Sequence, residues 1–483
     1  MPFVSPEALL TLGHIAGAAL VTGHVLLTKK EVRAAIGWTG LAWLAPIVGP
    51  IVYLFFGINR IRRAAGRIRE ARDLHTAERR AMVLSPGGLA VPASLRPAVP
   101  DSWQPLATLT GNLALEPLVA GNSIAPLEDG DQAYPAMLAA IEEAERSIGL
   151  ATYIFDRGDV GGQFVDALAR AHQRGVEVRV LIDGVGARYS RPSIVRDLRR
   201  QGVRVAEFLP PLLPLPNPYF NLRSHRKILT IDGRIGFSGG INIRDACVLA
   251  IPSKLPTRDL HFRLHGPIVR QLQETFAFDW RFATAERLDG ASWFPSLQEQ
   301  GTIVARGLAT GPDESGDVLL LTLLGALAHA RRSIRIVTPY FLPDTALLDA
   351  LQVAALRGVD VEILLPQRSN LRMVQWAQGA QLLRVLEGGC RVLLNPAPFD
   401  HSKLMVVDSG WTLIGSANWD PRSLRLNFEQ VVECYCDDFA AQVEAIIARK
   451  RVGARQLDTA EIRRRPLPIR LRDGVAWLAQ PYL

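Results

Sequence analysis

The sequence predicts an α/β fold present in duplicate, two halves facing each other, preceded by two transmembrane helices. Three observations predict it. The pattern His-x-Lys-x4-Asp occurs twice, as His225, Lys227 and Asp232 and as His401, Lys403 and Asp408, with a period of 176 residues. In each half, apolar strand-like runs alternate with helical ones. Two long uncharged stretches open the chain. One H-x-K triplet would carry no information. Here each copy is continued by a small-residue turn and an amide, Gly239-Gly240-Ile241-Asn242 and Gly415-Ser416-Ala417-Asn418, and the match argues for one symmetric site.

Residues 8–28 contain no Asp, Glu, Lys or Arg, and neither do residues 34–58. Each stretch is long enough to cross a bilayer, which takes about 20 apolar residues, so residues 1–58 read as an anchor with two transmembrane helices. His14, His24 and several glycines dilute the first, which also resembles a cleaved signal peptide, but it lacks a basic n-region and a clear small-residue cleavage site before Lys29-Lys30. Only Lys29, Lys30 and Arg33 lie between the two stretches, whereas Arg60, Arg62, Arg63, Arg67 and Arg69 follow the second at once. That excess predicts a multi-pass membrane protein with its catalytic part in the cytoplasm. The basic run continues through Arg72, Arg79 and Arg80. Such clusters attract anionic headgroups at about 1 kcal/mol per charge, or merely enforce topology. Residues 59–102 are this basic segment followed by a linker rich in Pro and small residues from Ser85 to Asp101, with folded structure resuming near Trp103.

The two halves are residues 103–300 and 301–483. Ala144-Glu145-Arg146-Ser147-Ile148 with Thr152 and Phe155 matches Ala330-Arg331-Arg332-Ser333-Ile334 with Thr338 and Phe341. Arg174-Gly175-Val176-Glu177-Val178 likewise matches Arg357-Gly358-Val359-Asp360-Val361. In each half a helix of about four turns leads to a Gly and an apolar strand, the pattern of α/β units around a largely parallel, covered sheet.

The triplets adjoin Ile228-Leu229-Thr230-Ile231 and Leu404-Met405-Val406-Val407, apolar and β-branched runs that read as buried strands. Residues two apart on a strand share a face, so His and Lys of each copy point the same way. The Asp comes at an odd offset, just before a turn, and reads as organising the fold more than touching substrate. After the turn a second strand returns to the Gly-rich corner and brings Asn242 or Asn418 near its own His and Lys.

Two imidazoles, two ammonium groups and two amides suit an oxyanion of phosphorus. Lysines and amide donors stabilise charge on the equatorial oxygens. One neutral His attacks phosphorus while the other, protonated, supplies a proton to the leaving oxygen.

These residues resemble the phospholipase D superfamily, and the likeness narrows to the bacterial cardiolipin synthases on Trp43-Leu44-Ala45-Pro46-Ile47-Val48-Gly49-Pro50, Arg223-Ser224-His225-Arg226-Lys227, Arg258-Asp259-Leu260-His261, Gly415-Ser416-Ala417-Asn418-Trp419-Asp420-Pro421-Arg422-Ser423, Asn427-Phe428-Glu429 and the closing Pro481-Tyr482-Leu483. The resemblance implies two phospholipase D-like halves in a pseudo-twofold α/β sandwich. It implies phosphatidyl transfer from phosphatidylglycerol through a phosphohistidine, with no metal and no cofactor, and glycerol released as cardiolipin forms. His225, Lys227, Asp232, His401, Lys403 and Asp408 would be catalytic, and Asn242, Asn418 and Ser416 would bind the phosphate. The nucleophile in such relatives is usually the first His and the general acid the second. By the same resemblance Asp259 would orient His225, and Glu429 would orient His401. Arg244-Asp245-Ala246-Cys247 and Thr257 depart from the family's pattern, so substrate preference transfers less directly than chemistry. A hydrolytic phospholipase D or a transferase using another headgroup alcohol would use the same groups, as would a metal-independent nuclease.

A net charge of +8 and a pI near 9.6 favour an acidic partner. The anchor favours lipid, and no run of aromatics interleaved with Lys and Arg suggests stacked bases, so nucleic acid is not expected. Cys247, Cys390, Cys434 and Cys436 show neither zinc spacing nor a disulfide framework. Pro210 to Phe220 is a Pro-rich apolar loop that either packs over the core or dips into lipid beside the site; Arg368, Arg372 and Trp376 occupy the corresponding place in the second half. Oligomeric state is not legible.

Overall fold

The strands of the first half are β1 (Val119–Glu128), β2 (Ser147–Thr152), β3 (Glu177–Asp183), β4 (Arg204–Phe208), β5 (Ile228–Ile231), β6 (Ile235–Gly239), β7 (Thr257–Arg258) and β8 (Leu260–His265). Those of the second are β9 (Ile303–Thr310), β10 (Ser333–Val337), β11 (Asp360–Pro366), β12 (Arg391–Asn395), β13 (Phe399–Asp400), β14 (Leu404–Val407), β15 (Trp411–Gly415), β16 (Glu429–Tyr435) and β17 (Arg455–Gln456). This computed structural model describes residues 5–29, 32–57, 99–114, 116–210, 222–312 and 316–480. The arginines from Arg60 to Arg80, the loop from residue 211 to 220 and the closing Pro481-Tyr482-Leu483 lie outside the described residues.

The duplication is visible in the strand order. One half runs β4-β3-β2-β5-β6-β8-β1 and the other β12-β11-β10-β14-β15-β16-β9, with β17 outside β12. β1 and β9 pair antiparallel across a bulge, joining both halves into one ladder of fifteen strands whose pseudo-twofold passes through that junction. The expectation of a largely parallel sheet needs correction. Within the ladder only β2-β3-β4 and β10-β11-β12, linked by helical crossovers, are parallel. The motif strands form the hairpins β5-β6 and β14-β15, whose tight turns force antiparallel pairing.

Side-chain alternation divides the core into layers. Ile148 and Leu150 of β2 pack outward with the helices Asp129–Glu142 and Asp159–Gln173, and Ile334 and Ile336 of β10 do the same with Gly316–His329 and Thr345–Leu356. Ala151 of β2, Leu181 of β3, Val337 of β10 and Leu364 of β11 face instead into one central cluster, which holds Phe276 and Trp280 of the helix Ile268–Thr284 and Phe439 and Val443 of the helix Asp437–Arg451. A core shared by both halves is the sandwich the sequence predicts. The repeated Arg-Gly after each crossover helix has a common cause. Gly175 and Gly358 adopt φ of 91° and 89°, the left-handed conformation that ends a helix without Cβ strain.

The N-terminal unit is a separate body. Ser5 caps the helix Pro6–Thr28 by accepting from Ala8 N at 3.3 Å. Among the described residues only this helix, over Glu7–Thr28, is long and apolar enough to cross a membrane. The expected second transmembrane helix over 34–58 is broken. Helix Val32–Leu44 stops before Pro46, Ile47 turns through φ 61°, and a short helix Val48–Val52 leads into the π turn Tyr53–Gly57. Proline removes a donor and clashes with the preceding turn. Gly49 then lies against the main chain of Leu41 and Ala42, where no Cβ fits. Trp43 Nε1 donates to Thr22 Oγ1 at 3.0 Å, and the Tyr53 hydroxyl meets His24 Nδ1 at 2.7 Å, tying the broken segment to the long helix.

Candidate active site

The two motifs meet at the centre. The rings of His225 and His401 lie 6.4 Å apart, centroid to centroid, and 77° from coplanar. Each motif is threaded into the opposite half by its main chain. His225 N donates to Phe428 O at 2.9 Å, and His401 N donates to Arg258 O at 2.7 Å. Phe428 and Arg258 immediately precede Glu429 and Asp259.

The orienting pairs therefore cross over. His225 Nδ1 is 3.0 Å from Glu429 Oε2, and His401 Nδ1 is 2.7 Å from Asp259 Oδ2. This reverses the assignment implied by family likeness, Asp259 to His225 and Glu429 to His401. Each carboxylate follows a main-chain bond made to the other half, which distance along the chain does not reveal. Gly240 permits the approach on one side, since a Cβ there would collide with the Asp259 carboxylate.

These contacts set the protonation of His225. Its Nδ1 faces two acceptors, Glu429 Oε2 and the carbonyl of Ser416 at 3.1 Å, so Nδ1 carries the hydrogen and Nε2 of the neutral ring keeps its lone pair. Glu429 also accepts from Ser416 Oγ at 2.5 Å and Asn427 Nδ2 at 3.2 Å. Around His401, Asp259 and the Lys403 ammonium, 2.8 Å away, both approach Nδ1. A nitrogen donating to Asp259 has no lone pair left for Lys403, so the ammonium's bond goes to the His401 carbonyl, which it also contacts. Lys227 Nζ likewise donates to His225 O at 2.7 Å.

Burial dominates the electrostatics. It lowers His225, and it lowers His401 to about 4 with help from Lys403. Burial also brings Lys227 to about 7 and Lys403 to about 8. Glu429 and Asp259 end below the usual carboxylate range although burial pushes both up, because His225 and Lys227 outweigh it for the first and Lys403 and His401 for the second. The empty site thus holds two neutral imidazoles, two ionised carboxylates and two lysines close to losing their charge. An entering anion reverses the desolvation penalty and favours the charged forms.

The remaining expected residues divide. Asn242 and Asn418 are buried beside the motifs. Asn242 Oδ1 accepts from Ile154 N at 3.1 Å, leaving its amide hydrogens as the available donors, and Asn418 Oδ1 has no partner among the described residues. Ser416, expected to bind phosphate, is fully buried and spends its hydroxyl on Glu429 and Gln430. Its place at the β15 corner beside β16 explains the correction. Asp232 and Asp408 cannot be catalytic by contact. Asp232 accepts from the N–H groups of Glu145, Arg146 and Ser147, and Asp408 from those of Arg331, Arg332 and Ser333, at 2.7–3.0 Å. Each lies beyond the far end of a four-residue strand from its His, and that strand alone is about 13 Å long at about 3.3 Å per residue. They pin the start of β2 and β10, the fold-organising role their odd offset predicts.

Several residues were not anticipated. Tyr153 packs its ring 5.4 Å from His225 with the Lys227 ammonium 5.5 Å away, whereas His401 is flanked by Tyr340 and Phe399 at 6.2 and 6.0 Å. Arg226 reaches into the second half, where Nε donates to Glu429 O at 3.0 Å and Nη2 to Thr310 O at 2.9 Å, while Nη1 pairs with buried Asp279 of its own half at 2.5 Å. The second half has Ser402 there, its hydroxyl unpartnered among the described residues. The aromatic residues carried no spacing signal. Arg226 had one, since its position between two same-face residues turns it the other way.

The family described as "Cardiolipin synthase, PLD-like domain" matches residues 137–280 and 323–451, one segment around each His. The chain is 32% identical over 464 residues to the cardiolipin synthase of Geobacillus kaustophilus, spanning 95% of this chain and 91% of that protein. The chain belongs to the cardiolipin synthase family of phospholipase D-like enzymes. As a cardiolipin synthase family member it is a phospholipid phosphatidyltransferase. The major cardiolipin synthase ClsA of Bacillus subtilis is 30% identical over 98% of this chain and 99% of its own length. Residues 18–57 match the family "Phospholipase_D-nuclease N-terminal". The crystal structure of phosphatidylserine synthase from Haemophilus influenzae aligns over 80% of this chain and 100% of its own, with a TM-score of 0.62 at 17% identity, which establishes the shared fold.

Proposed function

We propose that this cardiolipin synthase family member joins two phosphatidylglycerol molecules into cardiolipin and glycerol in two displacements at one phosphorus. His225 Nε2 attacks the phosphorus of the first lipid; the bond to the terminal glycerol oxygen breaks, and that oxygen takes a proton from His401. The primary hydroxyl of the second lipid then attacks the phosphohistidine, gives its proton to His401, and releases His225. Lys227, Lys403 and the amides of Asn242 and Asn418 hold the phosphoryl oxygens. Atoms balance without a co-reactant.

The observation that carries this reading is the pair of rings 6.4 Å apart, each with a carboxylate on Nδ1. Rings this close can both reach one phosphodiester held between them. Assigning attack to His225 follows the family resemblance, in which the first His is usually the nucleophile, and its Nε2 is free of hydrogen to do so. His401 must be protonated to serve a leaving alkoxide, and the anionic substrate raises its proton affinity from the low value of the empty site.

At the membrane we infer two crossings, the second through the broken segment 34–57, with the catalytic part on the cytoplasmic side. Support comes from the lack of charge in both stretches and from the arginines following the second. Incubating purified protein with phosphatidylglycerol tests the activity. Cardiolipin with equimolar glycerol is expected; phosphatidic acid without cardiolipin would identify a hydrolase. Loss of product in His225→Ala and His401→Ala, with membrane binding retained, is expected as well.

A further inference from the structure

A second basic site lies outside the catalytic centre. The turn Gly186–Arg188, the helix Ile194–Arg200 and β4 enclose a cavity of about 520 Å³ whose walls include Arg188, Arg196, Arg199, Arg200 and Glu207. Three of these arginines, at 196, 199 and 200, stand at i, i+3 and i+4 on one short helix, where like charges repel one another. The helix's own acid does little to balance them. Asp197 is held by Arg157 through two bonds of 2.7 and 3.1 Å, and Arg200 stays 3.9 Å from it. Arg196 and Arg199 are exposed and have no acidic partner among the described residues.

A chain of neighbouring residues runs from the cavity wall to the catalytic centre. Arg188 is followed by Tyr189, 57% exposed, whose ring lies 6.3 Å from that of Tyr153, and Tyr153 packs on His225. An exposed tyrosine beside a cluster of arginines matches what meets a headgroup layer. Guanidinium groups converging from several sides suit a phosphate, whose oxygens accept paired N–H bonds.

We propose that this cavity holds the phosphate of an anionic phospholipid that is not reacting, docking the catalytic cleft against the lipid surface. The proposal rests on the phosphatidyl-transfer reading above. Its function is to raise the local supply of substrate, so its loss weakens saturation and leaves turnover alone.

The test uses the full-length protein in detergent micelles with a varied mole fraction of phosphatidylglycerol, reading cardiolipin formed. For Arg196→Gln with Arg199→Gln, the half-saturating mole fraction should rise about five-fold per lost charge, with kcat within about two-fold of the parent. Arg196→Lys with Arg199→Lys should recover most of the loss. Arg281→Gln with Arg470→Gln, exposed elsewhere on the molecule, should change neither value. An unchanged half-saturation in the first pair, or an equal shift in the control pair, overturns the proposal. If excess inorganic phosphate inhibits the parent but not the first pair, while lipid half-saturation is the same in both, the cavity takes free phosphate and the lipid assignment falls. Failure of the unsubstituted protein to make cardiolipin would count against the proposed function instead.

Discussion

Glu429→Gln keeps the size of the side chain facing His225 and removes its charge. In the proposed mechanism the ring becomes cationic as His225 Nε2 bonds to phosphorus, and the carboxylate 3.0 Å from Nδ1 stabilises that charge. At an effective dielectric near 20 a full pair at this distance is worth about 5 kcal/mol. An amide that keeps part of the hydrogen bond should leave a deficit of about 3–5 kcal/mol, a loss of about 10²–10⁴ in the rate of attack. Asp259→Asn should cost a similar factor for a different reason, because His401 then fails to keep the proton needed by the departing glycerol. A phosphatidyl ester of p-nitrophenol separates the two, since nitrophenolate departs without a proton. Nitrophenol release should be nearly normal in Asp259→Asn and still depressed in Glu429→Gln. The opposite pattern, rescue of Glu429→Gln alone, would refute the crossed pairing and restore the assignment within each half.

Burial lowers both lysines, so their charged forms are complete below the depressed values and lost as pH rises through about 7 for Lys227 and about 8 for Lys403. kcat/KM, which reports the free enzyme, should therefore decline between about pH 7 and 8 and keep falling above, and a profile flat to pH 10 would show that the ammonium charges do not bind substrate. Arg226→Met removes the guanidinium that pairs with the fully buried carboxylate of Asp279 and should destabilise the protein by about 3–5 kcal/mol. Adding Asp279→Leu should recover most of the melting temperature, but not activity if Arg226 also holds the Glu429 main chain in place; full recovery of kcat in the double variant would limit Arg226 to a stability role. Asp408→Ala strips three N–H groups of their acceptor and should cost about 1–3 kcal/mol by denaturant melting, while kcat per folded molecule stays within a few-fold.

Much of the site was legible because strand geometry is strict. Period two put His and Lys on one face, and the odd offset put Asp232 and Asp408 elsewhere, where they cap main-chain N–H groups. What stayed hidden depends on contacts between the halves. Asp259 and Glu429 each follow the nearest His in sequence, yet His225 enters beside Phe428 and His401 beside Arg258, so the carboxylates exchange partners. Ser416 looked like a phosphate ligand because it stands two residues before Asn418, but pairing of β15 with β16 turns its hydroxyl onto Glu429. In the anchor, the absence of charge in 34–58 signalled apolar surroundings, and Pro46 decided the backbone.

The exchange of carboxylates bears on why this enzyme is a single polypeptide. A fragment ending near residue 300 would keep His225 but lose Glu429, and self-association could restore a dyad only as His225 with Asp259, the same on both sides. Holding a glutamate to one ring and an aspartate to the other needs two unlike segments in permanent company. Covalent fusion supplies that, and lets attacker and proton donor acquire separate surroundings that a symmetric pair of identical chains could never distinguish.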